Sequence, residues 1–111
     1  MTGAAKRKGD RAELEAAAML TDLLGTPVRR KLGAGRADDT GDLDGVPGHV
    51  VQVCDWRDLA TAVRVKPLAA DTQRANAGAD HAMTLVRLRG GTWRVVLTPD
   101  QWATYLTKEN Q

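Results

Sequence analysis

Apolar residues recur at three- and four-residue intervals from Ala12 to Leu24, and this spacing predicts an amphipathic helix over 10–24, opened by Gly9 and Asp10 and stopped by Gly25. The short run PVRRKL at 27–32 predicts an edge strand, followed by the loop Gly33-Ala34-Gly35-Arg36. Gly41-Asp42-Leu43-Asp44-Gly45 leads through the turn Val46-Pro47-Gly48 into a Val-rich strand at 49–55, which together predict a hairpin. A helical segment follows, with Pro67 in the first turn of its main part, Gly78 at its end, and 58–64 as a separate short turn. Two β-rich runs, 82–88 and 92–97, flank Arg89-Gly90-Gly91 as a second hairpin. Thr98-Pro99-Asp100-Gln101 then carries the signature of a capped helix start. The expected order is α-β-β-β-α-β-β-α: a single α/β domain over 1–111, with a mixed central sheet flanked by helices and residues 1–8 as a basic arm.

Composition narrows the function classes. The 111 residues suffice for one core. One Cys and two His are too few for a structural zinc site or an internal disulfide, which favours a cytoplasmic setting. No apolar run reaches the roughly 18 residues of a membrane span, and the segment after Lys6-Arg7-Lys8 does not read as a signal-peptide core. The net charge of +2 conceals a sharp division: 1–36 carries +4, 37–55 carries −5 with no basic residue, 56–75 carries +2 and 76–111 carries +1. An acidic segment between basic ones suits a protein that grips a polyanion while holding a divalent cation against it, and it also describes an ordinary acidic surface loop.

On a helical wheel Glu13 falls within the apolar face, beside Ala17, Leu20 and Leu24. A carboxylate there needs a cation, with Arg29, Arg30 and Lys31 as candidates, or a place at the edge of a polar site. Period-two alternation sets Val50, Gln52 and Cys54 on one sheet face and His49, Val51 and Val53 on the other, so Gln52 is a polar residue in a buried strand. It bonds a loop backbone, or it joins Glu13 and Asp42 as an oxygen ligand for a hard cation such as Mg²⁺. Cys54 reads as a small packed residue. Trp56 and Trp93 read as core in preference to base-stacking platforms, and Trp102 as core or dimer interface. Lys6, Arg7, Lys8 and Arg11, which precede or open the first helix, Arg29, Arg30, Lys31 and Arg36 around the Gly-Ala-Gly loop, and Arg57 form a basic set that would hold a nucleic-acid backbone without reading its sequence.

The element order, together with Lys8-Gly9-Asp10-Arg11-Ala12-Glu13 on the first helix, Gly41-Asp42 before a hairpin and Val50-Val51-Gln52-Val53-Cys54 on the next strand, resembles the PD-(D/E)XK nucleases, and among them the small archaeal and phage-type Holliday-junction resolvases. The resemblance spans roughly 8–97 and implies a restriction-endonuclease-like fold. It also implies metal-dependent hydrolysis of phosphodiester bonds, with Mg²⁺ or Mn²⁺ held by Glu13, Asp42 and Gln52, and a twofold homodimer acting on branched DNA in a bacterial or phage-infected cytoplasm. Two positions depart from the pattern. The central-strand acid is Gln52, a neutral ligand, and the lysine two residues on is Cys54. Lys66, with Arg57 behind it, is the candidate replacement cation. The rival expectations are a nuclease fold that has lost catalysis and only binds DNA, and a nicking or restriction-like endonuclease.

Overall fold

The computed structural model describes residues 3–31 and 40–109, with side chains over 7–31 and 40–108. Helix α1 (Gly3–Leu24) is followed by β1 (Arg29–Arg30), β2 (Leu43–Asp44), β3 (His49–Cys54), α2 (Leu59–Ala77), β4 (His81–Arg87), β5 (Trp93–Val96) and α3 (Pro99–Glu109). The five strands form one mixed sheet in the order β1-β2-β3-β4-β5. Among the described residues the only parallel pair is β3 with β4, in register from His49↔His81 to Cys54↔Val86, and α2 makes the crossover that such a pair requires. The α/β architecture and its element order are as the sequence predicts.

Alternation along β3 sends its two faces to different helices. Val51 and Val53 join Leu43, Leu85 and Val28 against Ala12, Ala16, Ala17 and Leu20 of α1. Cys54 and Val86 lie on the other face against Ala62 of α2. Val51 and Leu85 are almost wholly buried, and each such side chain contributes about 1.5–3 kcal/mol of burial free energy. Thr21 ties the end of α1 to the sheet, because its hydroxyl donates to the Ala17 carbonyl at 2.8 Å and accepts from the Val28 amide at 2.9 Å.

Two local expectations change. Helix α1 begins at Gly3, so 3–8 forms its first turns instead of a separate arm; Ala4 and Ala5 are good helix formers, and Gly9 is tolerated as an interior cost. Helix α2 runs unbroken through Pro67 and absorbs the turn expected at 58–64. A mid-helix proline removes one hydrogen bond at a cost of about 3 kcal/mol. That cost is offset by burial of the proline ring on the stripe that carries Ala62 and Ala70, and by Asp58, whose carboxylate accepts from the Thr61 amide at 3.0 Å as the N-cap. No described helix is long and apolar enough to cross a membrane.

Candidate functional site

The site is built where β2 meets β3. Leu43 pairs with Val51, and the Asp42 amide also donates to the Val51 carbonyl at 2.9 Å, so two residues stand against one in the manner of a β-bulge. Gly41 makes the bend at φ +101, and a Cβ there would meet Val50 Cγ1 at 2.9 Å and the Val51 carbonyl oxygen at 3.2 Å. The bulge aims the Asp42 carboxylate at β3, where its Oδ2 accepts from the Val53 amide at 2.8 Å. Asp42 thus extends the sheet ladder with its side chain and is fixed within hydrogen-bonding reach of the central strand.

Gln52 lies on the face of β3 that α2 covers, is 6% exposed, and its Oε1 accepts no hydrogen bond among the described residues. The loop-backbone bond considered for it is therefore not made by that oxygen. Directly beside it in the β3–β4 register stands Thr84, whose buried hydroxyl is likewise unpartnered among the described residues. Two adjacent buried oxygens without protein donors are costly in a packed domain unless a water or a bound group meets them.

Lys66 reaches the same region from α2. It falls on the stripe of Ala62, Ala70 and Gln73 that packs on the sheet, and its ammonium lies 4.7 Å from the centre of the Trp56 ring. The Cys54 thiol registers its surroundings: burial pushes its pKa up, the Lys66 charge pulls it down, and Asp55 and Asp42 push it up. Asp42, Cys54 and Lys66 therefore share one electrostatic neighbourhood at the end of β3. Cys54 itself is buried and packed, as its setting in the sequence predicts.

Glu13 is engaged elsewhere. Its Oε1 accepts from Arg30 Nε at 3.0 Å, while Arg30 Nη2 donates to Asp10 at 2.8 Å, so one guanidinium of β1 bridges two carboxylates of α1. The cation that the apolar-face position of Glu13 demands is thus Arg30. Among the described residues, no three His, Cys, Asp or Glu side chains gather closely enough to hold a metal ion.

The basic set divides in the same way. Arg30 is committed to α1, and Lys31 donates to the Thr40 carbonyl at 3.0 Å and pairs with Asp44 at 3.3 Å. Arg7, Arg11, Arg29 and Arg57 are exposed, and among the described residues Lys8 makes only a long contact of 3.9 Å with Asp55. Arg36, its glycine loop and the Lys6 side chain lie outside the described residues. Two cations passed over in the sequence, Arg87 and Arg89, line one groove with Lys8 and Arg57. Their signal was Arg87-Leu88-Arg89 beside Gly90-Gly91, a pattern equally typical of a plain hairpin. Trp56 is 41% exposed and Trp102 56% exposed, so neither belongs to the core, while Trp93 packs against it.

Compared with protein-family models, curated proteins and solved structures, the chain has no match.

Proposed function

We propose that the protein is a metal-dependent DNA endonuclease of restriction-endonuclease-like fold, acting on branched DNA such as a Holliday junction as a twofold homodimer. The observation that carries this reading is the placement of Asp42 beside β3, next to a strand bearing the unpartnered Gln52 amide oxygen, with Lys66 entering from α2 near Cys54. Lys66 thereby brings a cation to the neighbourhood in which the resembled motif has its lysine on the strand. One carboxylate and one amide oxygen suit Mg²⁺, which keeps several waters and draws remaining ligands from substrate phosphates. Asp42 and Gln52 would hold the ion, and bound there it would activate water and neutralise charge at phosphorus. Lys66 would stabilise the negative charge of the transition state.

The pairing of Glu13 with Arg30 favours a second reading, in which the same fold binds DNA without cutting it, because the second carboxylate of the expected ligand set is neutralised. A labelled four-way junction incubated with Mg²⁺ or Mn²⁺ separates the two. Symmetric paired nicks that vanish in Asp42→Asn support the resolvase. Nicking of linear duplex in preference to the junction would move the substrate to that of a restriction-like enzyme. Binding without cleavage across salt concentrations would overturn catalysis and leave the DNA-binding reading.

A further inference from the structure

A groove that reaches Lys8 near the start of α1 is lined by none of the proposed metal ligands. It encloses about 450 Å³ and is lined by Lys8, Trp56, Arg57, Arg87 and Arg89, with Asp55 in its wall. A neighbouring hollow continues it along α1 past Arg11 and Glu15. Five cations therefore meet two carboxylates. Both carboxylates are engaged: Glu15 accepts from Arg87 Nε at 2.7 Å, and Asp55 lies 3.9 Å from Lys8. Each holds a cation in the groove wall. Arg57 and Arg89 make no ion pair or hydrogen bond among the described residues, so their guanidinium groups are available to an outside anion. Trp56 lines the groove with them, and one face of its ring meets the Lys66 ammonium at 4.7 Å from the ring centre.

Unpaired arginines around a half-exposed indole match the chemistry of a nucleic-acid strand whose bases are not paired: guanidiniums take the phosphates and the ring stacks on a base. The volume is that of a small-ligand site, with room for a nucleotide. Resting on the DNA reading above, we infer that this groove binds a single-stranded DNA segment, with Arg57 and Arg89 on its phosphates and Trp56 stacked on an unpaired base. At a branch point the groove would select the opened strand, which gives structure selectivity without contacts to base edges.

The test measures fluorescence anisotropy of labelled oligothymidylate of about 20 nucleotides and of a matched duplex, each over a range of salt, with circular dichroism as the folding control. For oligothymidylate, Arg57→Ala/Arg89→Ala should lower affinity about tenfold and reduce the salt slope by about 1.4, the loss of two phosphate contacts at about 0.7 each. Trp56→Leu should weaken oligothymidylate about fivefold or more with the slope unchanged, and leave the duplex nearly unaffected. An unchanged slope in the arginine variant, or equal loss on duplex and single strand for Trp56→Leu, would overturn the groove assignment while junction binding by the wild type keeps the DNA reading intact. Wild-type protein that binds neither strand, duplex nor junction would overturn both.

Discussion

Gly41 shows how much of the candidate site depends on one missing side chain. Its φ of +101 and the 2.9 Å approach to Val50 Cγ1 leave no place for a Cβ, and it immediately precedes the carboxylate that reaches the Val53 amide. Gly41→Ala should destabilise the fold by about 1–3 kcal/mol through backbone strain, read as a lower urea midpoint. It should also release Asp42 from β3, so that whatever activity the Asp42→Asn control abolishes falls in Gly41→Ala as well. Lys66 is the second critical residue. Lys66→Met keeps an unbranched side chain beside Trp56 and removes only the charge. On the nuclease reading, single-turnover cleavage should then fall by about 10²–10³-fold with little change in DNA affinity, whereas a lysine that merely covers the indole would leave the cleavage rate unchanged.

At the scale of elements, the ends of the chain's helices follow from short local codes. Thr98 and Gln101 form the reciprocal cap their spacing predicts: the Thr98 amide donates to Gln101 Oε1 at 2.9 Å, and the Gln101 amide donates to Thr98 Oγ1 at 3.1 Å. Gln101 also donates through Nε2 to the Pro67 carbonyl at 2.9 Å, so the cap docks α3 onto α2. Thr98→Ala should cost about 1 kcal/mol in equilibrium urea unfolding, and loss of ordered α3 by hydrogen exchange should precede global unfolding. What was legible in the sequence was of this local kind: the alternation of Val50 to Cys54, the turn glycines, and the cap at Thr98. Pro67 was misread as a break because its tolerance comes from packing on the sheet, which no local pattern records. The start of α1 was misplaced because Gly9 interrupts it without ending it. For the candidate site, the periodicity located the buried amide of Gln52, and the wheel stated the demand of Glu13 for a cation. The choice of Arg30 over Arg29 or Lys31 waited on the pairing of β1 with β2, which depends on the fold as a whole.

Across the whole molecule, residues 72 and 78 positions apart are joined by polar contacts beside the apolar ones. Glu15 of α1 accepts from Arg87 at the end of β4 and from the Trp93 indole at the start of β5, at 2.7 and 3.0 Å. This cluster holds the first helix against the last hairpin and also forms the floor on which Arg87 stands in the basic groove. The hydrogen bond from Arg87, with its charge and the Trp93 bond adding to it, pulls the Glu15 carboxyl below its ordinary value of 4.5. A carboxylate with a depressed folded pKa contributes stability that is fully present above its unfolded value and is lost as pH falls through its folded value. The gap in stability between wild type and Glu15→Gln should therefore be constant near neutrality, begin to narrow as pH drops below about 4.5, and close further into acid. Because Glu15 is close to half exposed, the gap should also shrink in high salt at neutral pH, and the two perturbations should not add. Urea titrations of both proteins across pH, followed by tryptophan fluorescence, measure this directly. A gap that persists unchanged into acid would show that Glu15 acts through packing at the α1–hairpin seam, and that the position of Arg87 in the groove does not depend on its charge.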